Sequence, residues 1–453
     1  MNTIASLHAR FANGSDSVAE RVERHISRVT DSAGEGARAF LSLDQAQVKH
    51  AAEASQQRIS EGNARPLEGI TLSIKDLFDV KGEVTGAGST VLRSRPAATA
   101  DCPAVARLRD AGAIIFGRNN MVEFAYSGVG INPHFGTPRN VWGRTLDGGG
   151  RVPGGSSSGG GVAVADGMTL AALGSDTGGS VRLPAALNGV CGFKPSARRV
   201  PVLGTIPLSV TLDSVGPIAQ TVACCARIDA VLAGEIYQRQ SLQSPRSPRS
   251  LKGARLLKPI SLLWRELDAA VAASANAAME ALRAAGADIV EAVVPALDEL
   301  FTQPGNVGAE AYDWHQTNIN LDGVGYDVRV WQRMLLGRDT SRAQYSALFT
   351  YRRLWIDRMN IALAGFDAVV CPTVACVAPE IAPLIADDAL FFKANARILR
   401  NTAWVNFMDG CALTLPCHTP GDAPVGLQLV GLHGTDHAIL ALGLGCETAL
   451  AQR

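Results

Sequence analysis

Two loops rich in glycine and serine hold the residues best suited to do chemistry. Fifteen of the 46 glycines lie between Arg139 and Phe193, interleaved with serines in PGGSSSGGG (153–161) and GSDTGGS (174–180). Glycine tolerates left-handed backbone and close approach, so such loops can cradle a ligand in exposed N–H groups. A phosphate-binding P-loop would need GK followed by Ser or Thr, which neither loop supplies. A dinucleotide fingerprint GxGxxG fails at Val164, where the last glycine should stand. Gly155–Gly159 does fit GxSxG with Ser157 as an elbow nucleophile, and His418, His433 and His437 follow downstream. That elbow must follow a strand directly, however, and LDGGGRVPG cannot form one.

Serine acylation with a base other than histidine remains. A hydroxyl attacks a carbonyl when a base takes its proton and preorganised donors meet the oxyanion. The backbone amides of Thr177, Gly178, Gly179 and Ser180 can point at one spot, and Ser180 at the end of that turn is the candidate nucleophile. Neither loop contains a histidine. Lys75, closing the apolar run Ile70–Ile74, is the candidate base, since burial lowers a lysine from ~10.4 toward ~7–8.

These residues need a scaffold. SDSVAERVERHISRVT (15–30) reads as an amphipathic helix capped by Ser15 or Ser17, with Val18, Val22, Ile26 and Val29 on one face. A strand is expected up to Lys75. A helix within 101–112 ends near Gly112, and a strand follows at Ala113–Phe116. Helix and strand alternate again around 162–173 and 184–194, which predicts an α/β layered domain with a largely buried sheet. Further on, 266–286 reads as a helix, 366–373 and 425–431 as strands, and 436–450 as a closing helix. The polar stretch 236–253 is expected to be a surface loop. There is no repeat and no second linker, so residues 1–453 are expected to form one domain.

Composition sets outer bounds. The 453 residues are 47% hydrophobic and 19% charged, enough apolar content for a sizeable core. Lys plus Arg and Asp plus Glu both number 42, so no basic surplus favours nucleic acid or an anionic membrane as partner. Nine cysteines, an odd count without metal-motif spacing, argue against a disulfide framework or a zinc site. No metal is expected, and a reducing cytoplasm fits this usage. The first residues lack the pattern of a signal peptide, and no run of ~20 apolar residues appears.

Taken together, GGSSSGGG and GSDTGGSVRLPAALNGVCGFKP strongly resemble the amidase signature family. The resemblance extends to GITLSIKDLFDVKG around Lys75, to 117–140 and to PVGLQLVG at 424–431. It is dense over about 66–220, the signature core, and thinner after 290. It implies a large mixed, mostly parallel central β-sheet covered by helices on both faces. It also implies a Ser–Ser–Lys triad: Lys75 as base, Ser156 as relay serine after a cis Gly155–Ser156 bond, and Ser180 as acyl-forming nucleophile. The 24-residue interval from Ser156 to Ser180 matches the family's pattern without a gap, so the resemblance implies Ser156 and not Ser157 or Ser158, whose hydroxyls are expected to hold the loop.

By the same resemblance Ala125 and Tyr126 border the acyl side, no cofactor is needed, and the substrate is a small amide. Asp176 and Arg182 are expected to support the loop by pairing. A variable region at about 290–400 should shape the pocket, drawing on Glu310, Tyr312, His315, Asp327 and Arg329. A homodimer is the default expectation for a soluble enzyme. Two related activities share the signature: hydrolysis of urea derivatives such as allophanate or carboxybiuret, and the glutaminase component of a tRNA-dependent amidotransferase. One departure from the family pattern is the extra LDGGG beginning at Leu146, just before the relay loop. Deleting Leu146–Gly149 is expected to leave the triad intact and change substrate preference; unchanged kinetics across a substrate panel would show the insertion to be inert.

Overall fold

Short β-branched and leucine-rich runs, each ended by a polar residue, proline or glycine, form the sheet that places the site. The computed structural model describes residues 3–145, 149–235, 247–300, 308–319 and 321–452. Eleven strands are present among them: β1 (Phe40–Ser42), β2 (Thr71–Lys75), β3 (Ile114–Asn119), β4 (Ala171–Asp176), β5 (Cys191–Lys194) and β6 (Ser214–Ala219), then β7 (Arg255–Pro259), β8 (Asp288–Ala292), β9 (Ala368–Pro372), β10 (Cys411–Pro416) and β11 (Gly426–Gly431). They join in one sheet in the order β1-β3-β2-β4-β6-β5-β10-β11-β9-β7-β8.

The sheet is mixed and flanked by helices, but it is not mostly parallel. Parallel pairing is confined to β3–β2–β4 and β9–β7–β8. The six remaining pairings are antiparallel. Parallel neighbours need a crossover, which the helices Pro103–Asp110 and Ala269–Ala284 supply between β2 and β3 and between β7 and β8. In the middle of the sheet the chain turns straight back, as from Pro416 to Gly426, and antiparallel pairing follows. Every residue of β2, β4, β6 and β11 is buried, so the polar members Lys75, Asp176 and Gln428 must find partners inside the protein.

Local readings of the sequence fare well. The first amphipathic helix is Val18–Thr30, capped by Ser17, whose hydroxyl accepts from the Glu20 N–H. Ser15 instead bonds the Asn13 side chain. The later helices span Ala269–Ala284 and Asp436–Leu450. β3 runs beyond its expected end at Phe116. Gly117 there (φ 153°) lies so close to β1 that an added Cβ would stand 2.5 Å from the Ser42 carbonyl oxygen. Arg118, in this extension, is buried and reaches the Asp76 carboxylate at 3.2 Å. Of the polar stretch 236–253, residues 236–246 lie outside the described residues, as do 146–148 of the insertion.

The triple glycine of the relay loop has a packing reason. It opens the helix Ser158–Ala165, which packs on β4. A Cβ on Gly159 would meet the Ala39 carbonyl oxygen at 2.3 Å, and one on Gly161 would meet Pro184 Cβ at 2.8 Å. The helix is therefore wedged between the β1 approach and the helix Arg182–Leu187, which fixes the serines at its N-terminal side. Among the described residues, no helix is long and apolar enough to cross a membrane.

Candidate active site

β2 and β4 are parallel neighbours, so Lys75 and the segment Ser175–Asp176 emerge side by side at their C-terminal ends. Lys75 is 1% exposed. Its Nζ lies 2.7 Å from Ser156 Oγ and 2.8 Å from Ser175 Oγ. Burial pushes the Lys75 ammonium down to about 7, against the opposing pull of the Asp213 and Asp176 carboxylates. No carboxylate is hydrogen-bonded to Nζ among the described residues, so desolvation prevails.

The loop carrying Ser156 is tied down on several sides. Its Gly155–Ser156 peptide is cis. The Gly155 N–H donates to the Gly128 carbonyl at 2.8 Å, and the Ser156 carbonyl accepts from the Val122 N–H at 3.0 Å. Ser157 N–H reaches the Ser180 carbonyl at 3.3 Å, which joins the two serine loops directly. As expected of holding residues, the Ser157 and Ser158 hydroxyls donate to the carbonyls of Ser175 (3.4 Å) and Asn120 (3.5 Å).

The turn that bears Ser180 hangs on a buried ion pair. Asp176 and Arg182 side chains are both fully shielded, with Arg182 Nη2 2.9 Å from Asp176 Oδ1 and Nε 3.0 Å from Oδ2. Burial alone would raise Asp176, but the Arg182 guanidinium holds it well below the usual carboxylate range. The expected pairing is thus present. One expected oxyanion donor is corrected: the Gly179 N–H donates to Asp176 Oδ1 at 2.8 Å, so it serves the turn itself. The candidate donors narrow to the amides of Thr177, Gly178 and Ser180. The Thr177 hydroxyl in turn donates to Asp213, a half-buried acid whose pKa desolvation raises to about 6 despite bonds from Thr177, Ser209 and Leu208.

A cavity of about 770 Å³ opens onto this turn, lined by Ala125, Tyr126, Thr177, Gly178 and Ser180 among others. Ala125 and Tyr126, the two residues expected at the acyl side, thus both face this cavity. Lys75 and Ser156 do not line the cavity. Of the residues expected from the variable region, only Glu310 lines it. Glu310 accepts from the Ser209 and Thr211 hydroxyls, the Thr211 N–H and the Tyr345 hydroxyl, which makes it a brace for the wall. His315 is buried against Phe124 and bonds the Tyr326 hydroxyl; Tyr312 packs on the core. Asp327 caps the helix Val328–Leu335, and Arg329 pairs with Asp388. The last two border a separate groove.

Sequence reasoning missed Ser175, Asp213 and the cavity's Arg333 and Tyr345. Ser175 sits in the signature loop and was open to notice; the others lie on segments with no local motif. The downstream histidines have other partners: His418 the Val425 carbonyl, His433 the Asp409 carbonyl and His437 the Glu235 carboxylate.

The Amidase family profile matches residues 20–440. The chain belongs to the amidase family. It is an enzyme of that family, a hydrolase acting on amide carbon–nitrogen bonds. A 2-amino-5-chloromuconic acid deaminase of Comamonas testosteroni is 34% identical, over 91% of this chain and 89% of that protein. One component of the glutamyl-tRNA(Gln) amidotransferase of Aromatoleum aromaticum is 32% identical, over 89% of this chain and 88% of its own length. A crystal structure of an amidase superposes with a TM-score of 0.84 at 30% identity, covering 99% of both chains.

In this amidase the ion pair under the turn is open to a direct test. Removing one partner of a buried pair leaves an uncompensated charge and costs about 3–5 kcal/mol. Arg182→Met is expected to lower stability to urea by that amount. A loss below about 1 kcal/mol would mean that the amides and Asn406 suffice to hold the Asp176 carboxylate.

Proposed function

We propose that this amidase hydrolyses a carboxamide through a Ser180 acyl-enzyme, with Ser156 as proton relay and Lys75 as base. The observation that carries this reading is the buried Lys75, held 2.7 Å from Ser156 Oγ behind the cavity that Ser180 lines. A lysine near neutrality can accept a proton, whereas an ordinary surface lysine cannot. In the proposed cycle neutral Lys75 takes the Ser156 proton as Ser156 takes that of Ser180. Ser180 Oγ then bonds to the amide carbon, and the carbonyl electrons move to an oxyanion met by the Thr177, Gly178 and Ser180 amides. The relay returns the proton to the departing nitrogen. Water, activated along the same path, releases the acid and restores Ser180. Ser175, the second hydroxyl on Nζ at 2.8 Å, would keep the lysine aimed at Ser156 through the cycle.

The relatives give the proposal its range. The deaminase, by its name, liberates an amino group, and ammonia is accordingly the product to assay. A second reading, the glutaminase component of an amidotransferase, is favoured by relatives from such complexes, which match up to 98% of this chain at 30–32% identity. Urea-derivative hydrolysis would use the same residues on a smaller acyl group.

The experiment is ammonia release from primary amides, urea derivatives and glutamine, with Lys75→Ala and Ser180→Ala beside wild type. Turnover of some amides, reduced at least about 10³-fold in both variants, is the expected outcome. Activity retained in Ser180→Ala would overturn the acyl-enzyme assignment. Dependence on glutamine and on a co-purifying protein would move the chain to the second reading. The pH profile adds an independent check. Lys75 must be neutral to act, so kcat/KM should fall about tenfold per pH unit below about 7 and level off above it. A profile flat from pH 5 to 8 would remove Lys75 from the role.

A further inference from the structure

Burying a guanidinium is costly unless acceptors replace its water. The cavity that holds Ser180 contains several cationic side chains, and most have acceptors. Arg352 reaches Asp409 at 2.7 Å, Arg397 reaches Asp268 at 2.7 Å, and Arg400 donates to the Arg265 carbonyl at 2.9 Å. Arg333 differs. It lines the same cavity, and its Nη1 is buried with no hydrogen-bond partner. Among the described residues it has no ion pair, and the tyrosine whose ring it faces also has an unpartnered polar atom. Tyr126, 4% exposed, has a buried Oη with no partner, and the Arg333 guanidinium carbon sits 5.6 Å from the Tyr126 ring centroid. Two carboxylates line the cavity and neither is bonded to Arg333: four other donors already occupy Glu310, and Glu266 lies 3.8 Å from Arg400.

We propose that Arg333, assisted by the Tyr126 hydroxyl, binds a carboxylate carried by the acyl part of the substrate, so that the preferred substrates are monoamides of dicarboxylic acids. A guanidinium presents two parallel N–H groups that match the two oxygens of a carboxylate, and a phenol adds a third donor. A neutral acyl chain would leave both groups unanswered in a desolvated wall, which discriminates against it. Which bond is broken rests on the acyl-enzyme reading above; the anion subsite does not.

The test separates the two. The Ser180→Ala protein is titrated calorimetrically with malonate, succinate and glutarate, and with the corresponding neutral diamides. At least one dicarboxylate should bind, and the diamides should not displace it. Adding Arg333→Gln should weaken that binding by about 30-fold or more, with Arg333→Lys falling between, since lysine restores charge without the fork. In Ser180-containing protein, the kcat/KM ratio of each monoamide to its methyl ester should fall by a similar factor in Arg333→Gln. Should Arg333→Gln fail to fold, as judged by its circular dichroism, Arg333→Lys carries the comparison. Dicarboxylate binding that Arg333→Gln and Arg333→Lys leave intact, or no dicarboxylate binding at all, overturns the subsite. Binding that depends on Arg333 in a protein that turns over no amide keeps the subsite and removes the acyl-enzyme reading instead.

Discussion

The turn at this site depends on one carboxylate that is fully shielded from solvent. Asp176 ends β4 and accepts from the Gly179, Val181 and Arg182 amides as well as from the Arg182 guanidinium and Asn406. A turn rich in glycine has high conformational entropy when free, so it needs strong and directional anchors to hold one shape. Arg182 supplies the other half. Its five bonds run to both Asp176 oxygens, the Thr402 carbonyl, Gln428 and Asn406, matching the full donor count of a guanidinium. The turn, the helix that follows it, the Ala403–Phe407 helix and β11 are thereby locked together. The desolvation that would make such a pair costly is offset because no lone pair or proton in it is left idle.

The same dryness tunes the lysine. Lys75 stands one strand away from Asp176, close enough to feel its charge but hydrogen-bonded to two neutral hydroxyls. With the carboxylate already saturated by Arg182, little negative potential remains to keep the ammonium charged. Sheet topology makes this possible: parallel β2 and β4 bring their C-terminal ends to one edge, where open α/β sheets commonly place chemistry. The antiparallel centre of the sheet then carries the chain to β11 and the Arg182 acceptors.

How far the sequence discloses this arrangement depends on whether a feature is local. Lys75, Ser156 and Ser180 were legible because each sits in a short motif whose residue types have few other uses together. The helices and strands read from periodicity are present, down to the ends of Asp436–Leu450, but β1, β6, β7, β8 and β10 went unread. Pairing sense was not legible, because an apolar run is equally at home in parallel and antiparallel neighbours once both faces are covered. The Gly179 amide looked like one donor among four; only the fold reveals that Asp176 takes it. In the variable region, Arg329 and Arg333 stand one helical turn apart with the same side chain. One finds Asp388 and the other faces the cavity, a distinction set by the elements packed around the helix and not by its own sequence.

The bracing of Glu310 has a consequence for how such an enzyme changes over time. The segment 208–213 is gripped from two sides: Asp213 holds it to Thr177 and so to the strand-borne machinery, while Glu310 and Tyr345 hold it to the outer helices. In the proposed reading, reactivity and selectivity therefore reside on different parts of the chain, and this segment is one hydrogen-bonded seam between them. Mutations in the outer helices can then remodel the cavity wall and leave the Lys75–Ser156 contact undisturbed, provided that the seam survives. Divergence within such a scaffold is then free on one side of the seam and arrested on the other, and a chimera cut along it would exchange substrate range as a unit.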